Sequence, residues 1–344
     1  MLAHDFHSYN ERIASKFRAL GHELDLKTIN GWPKRWTNLG WAKPLFRLPL
    51  IGKILNHFRF DEQDREMSAS LNMLNEKYDA MFVIWGTFFG ENCKFQTDRL
   101  LQPNSKRILY TWDSVKNTRG APWLKERTLF SEIFSFDRTD CLNFGFTYRR
   151  LFTSFVKNKD VKQDHNSNSV RLKSFKIVFI GTGDLYRIIK LLQLRRFFIS
   201  HGVTYKFITP IQSGIRRWIF KLLIGTDHYW QLAKARLEET YDIQSKADIV
   251  LDLPSPSQDG ASIRCIECLD LGCRVEVLHP RPNYYGDEEI RAFLGISENV
   301  EALKNRLLVP NRCLNNKDQR FEADSIDEWV EFFVSVLSPA GEKN

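Results

Sequence analysis

Residues 258–272 carry the side chains in this chain that are best suited to chemistry. They read QDGASIRCIECLDLG and lie between two apolar stretches, 247–253 and 274–278, which the residue pattern predicts to be strands. Gly260 permits a tight turn and Ser262 can cap the helix that follows. The N–H groups and the positive dipole end of such a helix attract a diphosphate. The stretch therefore predicts a β-loop-α-β unit that could hold a phosphorylated ligand.

Two charged side chains follow in the first turns of this helix. Arg264 and Glu267 are three residues apart, so they share one helix face. Glu267 could accept both hydroxyls of a ribose while the start of the helix holds the phosphates. An ordinary αβ unit with a solvated Glu267 fits the same spacing, and the spacing alone slightly favours that second interpretation.

The order of these residue types resembles a known family. The pattern Gln-x-Gly-x-(Ser/Thr)-x-Arg-x-x-Glu resembles the donor-site segment of bacterial GT-B fold glycosyltransferases that assemble lipopolysaccharide and capsular polysaccharide. The strings ILYTWDSVKN at 108–117 and IFSFDRTDC at 133–141 are similar to the N-terminal half of the same group. The resemblance extends over about residues 70–285, and its donor-site positions are Gln258, Gly260, Ser262, Arg264 and Glu267.

The resemblance implies an α/β protein with the GT-B fold, in which two Rossmann-like doubly wound domains face a central cleft. It implies a metal-independent glycosyltransferase without a cofactor, which takes a nucleotide-sugar donor and a glycan or lipid-linked acceptor. In retaining members a Glu-x(7)-Glu motif would place its second Glu at Glu267, with Gly272 five positions later. Asp259 stands in place of the first Glu, so a retaining and an inverting outcome both stay open.

Length and composition agree with a two-domain globular enzyme. The chain has 344 residues, which exceeds the usual size of one hydrophobic core, and its 43% hydrophobic and 27% charged residues exclude a disordered protein. The net charge of +8 predicts an anionic partner: nucleic acid, a membrane surface or a phosphorylated substrate. Six cysteines in a chain of this length predict reduced thiols, not a disulfide framework or a zinc site.

The sequence contains no run of eighteen apolar residues, and its N-terminus is too polar for a signal peptide. These features predict a cytoplasmic protein that could lie peripherally on the inner face of the cytoplasmic membrane.

A polar stretch divides the sequence into two α/β runs. Residues 156–173 carry almost no apolar side chains and predict an exposed linker. We therefore expect an acceptor-side Rossmann-like domain at 1–155, whose first strand is short or missing, and a nucleotide-sugar-binding domain at 174–324. A capped apolar helix begins near residue 325, and the resemblance implies that 325–344 crosses back to the first domain.

The remaining element predictions follow from apolar spacing. A first helix extends from a capping box at residue 8 to Gly21. Further strands are predicted at 24–29, 80–85, 107–111, 129–136, 175–180 and 203–208.

The loop after the predicted strand at 175–180 offers a second ligand-binding candidate. Gly181 and Gly183 follow a strand and precede a basic helix, so the loop could cradle phosphate, a dinucleotide or S-adenosylmethionine. The third glycine of the dinucleotide fingerprint is absent. Arg187 could neutralise the donor diphosphate or lie in solvent, and the residues do not decide between the two.

Asp113 is the candidate catalytic residue. It lies just beyond the strand predicted at 107–111, where open α/β sheets place their ligands, and could act as the base that deprotonates the acceptor hydroxyl. A helix-capping role also fits, and for a single Asp the residue pattern somewhat favours it. Asp137 and Asp140 follow the next strand in the same way, and no Asp-x-Asp metal motif is present. His4 and His7 could contact the acceptor, although terminal histidines are more often inert.

Residues 34–60 interleave basic and aromatic side chains, which suits an anionic membrane surface. Two stretches of the second domain, 187–196 and 216–221, have similar composition, and we assign them to core packing. No zinc-finger, RRM-like or helix-turn-helix signature supports nucleic acid as the partner. The predicted function is transfer of a sugar to a surface glycan. The alternatives are a non-catalytic sugar-nucleotide or glycan-binding homologue, or an S-adenosylmethionine-dependent methyltransferase that uses the glycine loop at 181–183.

Overall fold

The computed structural model of the chain describes most of the sequence. The described residues are 1–4, 9–29, 49–118, 122–154, 175–211, 214–225, 227–233, 235–255, 258–280, 287–308 and 321–338. The predicted linker at 156–173, His7, and most of the basic aromatic segment 34–60 lie outside them.

The chain divides into two compact units. The first contains residues 1–151, 257–260 and 326–344, and the second contains residues 152–256 and 261–325. Each unit has one parallel six-stranded sheet with helices between the strands. The prediction of two doubly wound α/β domains is thereby confirmed.

The first unit begins with a very short strand. Its elements are β1 Leu2–His4, α1 Tyr9–Ala19, β2 Lys27–Ile29, α2 Pro49–Asn72, β3 Tyr78–Ile84, α3 Glu91–Leu100, β4 Leu101–Thr111, two 3-10 helices at Pro122–Leu124 and Arg127–Leu129, β5 Glu132–Ser135, α4 Arg138–Phe144 and β6 Thr147–Tyr148. The strand order is β2-β1-β3-β4-β5-β6. Although β1 has only three residues, it pairs with β2 on one side and β3 on the other, so it occupies the interior of the sheet.

The second unit has the strand order β12-β11-β10-β7-β8-β9. Its elements are β7 Phe175–Ile180, α5 Leu185–Ser200, β8 Tyr205–Ile208, α6 Gly214–Ile224, β9 Trp230–Gln231, α7 Leu237–Ser245, β10 Ala247–Asp252, α8 Ile263–Asp270, β11 Arg274–Leu278, α9 Glu288–Arg291, β12 Leu294–Ser297 and α10 Val300–Leu308. The chain winds from β7 to one side of the sheet and then returns beside β7 with β10. The carboxyl ends of β7 and β10 therefore form the switch point where open α/β sheets bind ligands.

The last helix, α11 Ile326–Leu337, packs within the first unit. Its buried Trp329 and Phe333 contact the aromatic rings of Phe82 on β3 and Tyr110 on β4. Because side chains alternate along a strand, Val83 and Leu109 belong instead to the core cluster that includes α2 residues. Both faces of this sheet are therefore covered, as expected for a parallel sheet.

Among the described residues, no helix is long and apolar enough to cross a bilayer.

Candidate functional site

The N-terminus of α8 is built as the sequence predicts. Ser262 is the N-cap, and its Oγ accepts a hydrogen bond from the Cys265 N–H at 3.1 Å. The same hydroxyl donates to Asp252 Oδ2, also at 3.1 Å, which fixes the cap against the end of β10. The capping prediction is confirmed. Since the other N–H groups of the first helical turn lack acceptors within the helix, this end of α8 is suited to an anion.

Arg264 lies in the first turn of α8. Its side chain is partly buried, and its Nη1 is buried without a hydrogen-bond partner among the described residues. A guanidinium donor that is removed from water and left unpaired is costly, so such donors usually meet a ligand or an anion. A role for Arg264 toward a diphosphate stays a prediction.

Glu267 lies one turn further along α8 and is only 2% exposed. Ser154 donates its hydroxyl to Glu267 Oε1. This burial does not agree with the solvated Glu267 of an ordinary αβ unit. A role toward ribose stays a prediction, and any substitution there also affects an internal hydrogen bond.

Close packing, and not the tight turn that the sequence predicted, requires a glycine at position 260. It is not among the glycines with positive φ. A Cβ at this position would lie 2.6 Å from Cδ2 and 2.8 Å from the backbone oxygen of Phe136. Close approach of Phe136 in the first unit therefore excludes a side chain. Gln258 Nε2 donates to the Gly260 carbonyl at 2.9 Å, which closes this loop on itself.

Asp259 is buried in the first unit and is engaged by charged neighbours. Its Oδ2 lies 3.3 Å from Lys116 Nζ, and its N–H donates to Asp137 Oδ2 at 3.1 Å. The residue that stands in place of the first motif glutamate is therefore held in an ion pair.

The glycine loop after β7 uses its amides internally. Gly181 donates its N–H to Ile208 O at 3.0 Å, and Gly183 donates to Pro210 O at 3.1 Å. A Cβ at Gly183 would lie 2.6 Å from Ile211 Cγ1. These glycines thus permit close packing on the chain that follows β8, and their amides are not directed at a phosphate, a dinucleotide or S-adenosylmethionine.

Arg187 bridges the switch point of the second unit. Its Nε donates to the carbonyl of Leu253, just beyond β10, at 2.6 Å, and its Nη1 lies 3.1 Å from Asp184 Oδ2. Asp184 is also the N-cap of α5. Arg187 therefore lies at the predicted place with its guanidinium oriented by two neighbours, and its partly exposed side chain is not simply solvated.

The first unit has a crevice at its own switch point, between β1 and β3. It is lined by His4, Asn10, Ile84, Trp85 and Trp112 and is too narrow to admit a water molecule. Apart from His4, the sequence prediction missed these residues. They come from four separate elements, and no local pattern joins them.

His4, which the sequence left as either an acceptor contact or an inert terminal residue, lies at the end of β1. It is buried and hydrogen-bonds Thr87 through Nε2, and its ring lies 4.7 Å from that of Trp85. Burial, and secondarily the charge of Arg59, lowers the pKa of His4 to about 3. The imidazole is therefore neutral at physiological pH and acts as a hydrogen-bonding group.

Trp85 has a φ of 60°, a backbone conformation that bulky residues rarely adopt. Its N–H donates to Tyr110 O at 2.9 Å. Strained residues of this kind concentrate at functional sites, where the surrounding structure holds them. The strain at Trp85 places a large indole beside the crevice.

Asp113 is partly buried and follows Trp112, which lines the crevice. Its Oδ1 accepts hydrogen bonds from Ser114 N at 2.9 Å and from Asn117 Nδ2 at 2.6 Å. These bonds fit the local capping role that we weighed against a catalytic one. A catalytic role for Asp113 stays a prediction.

Two further aspartates follow β5. Asp137 is the N-cap of α4, accepting from Thr139 and Asp140 amides, and it also accepts from the Ser114 hydroxyl. Burial, together with the nearby Asp137 and Asp259 carboxylates, raises the pKa of Asp140 to about 7. In the part of the chain that the structure describes, no group of three or more His, Cys, Asp or Glu side chains is arranged to hold a metal ion.

Comparison with solved structures identifies the fold. The Neisseria meningitidis UDP-GlcNAc 2-epimerase bound to UDP-GlcNAc aligns over 98% of this chain and 98% of its own, with a TM-score of 0.57 and 12% identity. An α-glucosyltransferase in complex with UDP and a 13-mer DNA aligns over 98% and 99%, with a TM-score of 0.57 and 13% identity. The S. aureus MnaA–UDP co-structure aligns over 97% and 94%, with a TM-score of 0.56 and 12% identity.

The chain has a GT-B-like fold. No protein-family model and no curated protein sequence matches it. At 12–13% identity these likenesses concern the architecture of the two sheets.

Proposed function

We propose that the protein is a glycosyltransferase that moves a sugar from a nucleotide-sugar donor to a hydroxyl of a surface glycan. The observation that carries this proposal is the buried, unpartnered Nη1 of Arg264 at the capped N-terminus of α8. A cationic donor at a helix N-terminus favours an anion, and a nucleoside diphosphate supplies one. The acceptor class rests on the sequence resemblance to enzymes of lipopolysaccharide and capsule assembly.

The donor would bind at the carboxyl edge of the second sheet. The N-terminus of α8 and Arg264 neutralise the diphosphate, and Arg187 adds a second cation at the same edge. Glu267 accepts hydrogen bonds from the ribose hydroxyls. The leaving nucleoside diphosphate then needs no metal, because its charge is matched by fixed dipoles and guanidinium groups.

The acceptor would bind against the aromatic residues at the switch point of the first unit, Trp85 and Trp112, because indole faces complement the apolar faces of sugar rings. In an inverting transfer, Asp113 takes the proton of the acceptor hydroxyl while the hydroxyl oxygen attacks the anomeric carbon of the donor sugar. The bond from that carbon to the diphosphate oxygen breaks, and the nucleoside diphosphate leaves. In a retaining transfer, Asp113 would instead orient the acceptor.

The comparisons support a nucleotide-sugar ligand. Solved structures with the same fold contain UDP or UDP-GlcNAc. They also include an epimerase, which converts its nucleotide sugar without an acceptor, so the experiments have to distinguish the two reactions.

Binding of UDP, measured by titration calorimetry, tests the donor site. We expect Arg264→Gln to weaken UDP affinity by about 10- to 100-fold, because a charge-assisted hydrogen bond contributes roughly 1.5–3 kcal/mol. Arg196→Gln is the matched control, since Arg196 is an exposed arginine of α5 in the same unit. Equal UDP affinity of the two variants would refute the assignment of Arg264.

A pair of variants separates the ligand role of Glu267 from its internal one. Glu267→Gln weakens an acceptor of ribose hydroxyls, whereas Ser154→Ala removes the hydrogen bond from Ser154 and keeps the Glu267 carboxylate. We expect UDP affinity to fall in Glu267→Gln and to stay near the wild-type value in Ser154→Ala. If both variants lose affinity equally, Glu267 acts by shaping α8.

Turnover distinguishes the remaining alternatives. Release of UDP that depends on added glycan acceptor supports the proposed transfer. Conversion of UDP-GlcNAc to its C2 epimer without an acceptor would instead indicate an epimerase. Tight UDP binding without either reaction, across a panel of sugar nucleotides and acceptors, would indicate the non-catalytic homologue.

A further inference from the structure

Helix α6 presents apolar side chains to solvent in the second unit. It spans Gly214–Ile224 and connects β8 to β9, the strand at one edge of the sheet. Its sequence GIRRWIFKLLI was assigned above to core packing on the basis of its composition. The structure shows that this assignment holds for only part of the helix.

One face of α6 packs and the other does not. Phe220 and Ile224 are buried in the hydrophobic cluster of this unit. On the other side, Trp218 is 64% exposed and Leu222 is 65% exposed, and they are four residues apart, so they lie together. Ile219 and Leu223 beside them are also exposed. A helix with an apolar face toward solvent indicates an interaction surface.

The charges on this helix are all of one sign. Residues 214–224 contain three basic residues and no acidic residue. Lys221 is exposed, and Arg217 donates to the Ile211 carbonyl at 2.7 Å. Just after the helix, Asp227 is paired with Arg195 at 2.6 Å, so it does not offset the positive charge of α6.

We propose that α6 docks the protein on an anionic lipid surface. The helix would lie in the plane of the membrane interface with Trp218 and Leu222 inserted among the upper acyl chains. Its basic side chains would meet the phosphates of the headgroups. This arrangement is that of interfacial amphipathic helices, which have an apolar face, Lys or Arg flanks and an aromatic residue at the boundary.

Two further observations favour lipid over other occupants. Eleven residues of helix extend for about 16 Å, which is too short to cross a hydrocarbon core of about 30 Å but sufficient to lie along its surface. A symmetric contact with a second copy would bring two helices of like charge together, which opposes dimerisation. An anionic bilayer satisfies both the apolar face and the charge.

Co-sedimentation with lipid vesicles tests the proposal. We expect the wild type to bind vesicles that contain phosphatidylglycerol more strongly than vesicles of phosphatidylcholine alone. Trp218→Ser combined with Leu222→Ser should lower the partition coefficient by at least about 30-fold, because each substitution removes most of the apolar surface that would insert into the bilayer. Leu308→Ser is the control, since Leu308 is a similarly exposed leucine at the end of α10.

A charge variant tests the second half of the proposal. Lys221→Gln should lower binding to the phosphatidylglycerol vesicles by about fivefold, the effect expected for one basic residue near an anionic surface. Lys176→Gln, an exposed lysine of the same unit, should leave binding unchanged.

Three results would overturn the proposal. The first is that the wild type does not bind either vesicle. The second is that the Trp218 and Leu222 double variant binds like the wild type while replacement by Gln of five basic residues of 34–60 (Lys34, Arg35, Lys43, Arg47, Lys53) releases the protein. The third is a dimer, detected by light scattering without lipid, that the double variant converts to monomer, since α6 would then bind a second copy.

Discussion

The close contact between Gly260 and Phe136 predicts an unusually large effect of one added methyl group. In Gly260→Ala the new Cβ would lie 2.6 Å and 2.7 Å from two ring carbons of Phe136 and 2.8 Å from its backbone oxygen. Distances below 3.0 Å are essentially absent for real Cβ atoms. One of the three atoms belongs to the backbone, so rotation of the Phe136 ring alone cannot relieve the clash.

The backbone after Phe136 is also held in place. Asp137 caps α4 and accepts hydrogen bonds from Ser114 and from the Asp259 amide. Overpacking of this kind costs about 1–3 kcal/mol, and the reduced freedom of the unfolded chain offsets about 0.4–1 kcal/mol. We therefore expect Gly260→Ala to lower the free energy of unfolding by about 1–2 kcal/mol, which lowers Tm by roughly 2–8 °C.

Differential scanning calorimetry measures this change, with Gly214→Ala as the control. A Cβ at Gly214 meets nothing within 4 Å, and Gly214 is the first residue of α6 with an ordinary φ. Alanine there should be neutral or stabilising by up to about 1 kcal/mol. If Gly260→Ala is as stable as Gly214→Ala, the loop at 258–260 does not pack on Phe136 as described.

Three further predictions concern the carboxylates and the helix cap. Burial raises the pKa of Asp140 to about 7, so its protonated form contributes stability at low pH, and this contribution is lost as pH rises from about 4 through about 7. In urea unfolding, Asp140→Asn should therefore lose less stability than the wild type over that pH range. Parallel curves of stability against pH for the two proteins would contradict the raised pKa. Asp113→Asn should keep UDP affinity but lower turnover by about 10²–10⁴-fold if Asp113 is the base; near-normal transfer would leave it with the capping role. Ser262→Ala should lower the free energy of unfolding by about 1 kcal/mol in urea titrations and should also weaken UDP binding. Unchanged UDP affinity would show that the Ser262 cap is not part of the ligand site.

Local signals in the sequence were sufficient for the architecture. Strands such as β7, β10 and β11 were predicted nearly to the residue, because apolar side chains and flanking turn residues act within a few positions. The Ser262 cap was predicted for the same reason, since its hydroxyl bonds an amide only three residues away. The first strand, β1, was harder to recognise, because three residues are too few to show a period.

Contacts between distant parts of the chain decided the rest. The hydrogen bond to the buried Glu267 comes from Ser154, 113 residues earlier, and the crevice of the first unit joins residues from four elements. The composition of 216–221 led to an assignment to core packing, but the structure leaves Trp218 and Leu222 exposed. Burial and hydrogen-bond partners depend on which elements the topology brings together, and a local pattern contains no information about the elements that lie opposite it. The sequence therefore determined where helices and strands form, and the tertiary structure alone decided which of their side chains meet ligand, solvent or one another.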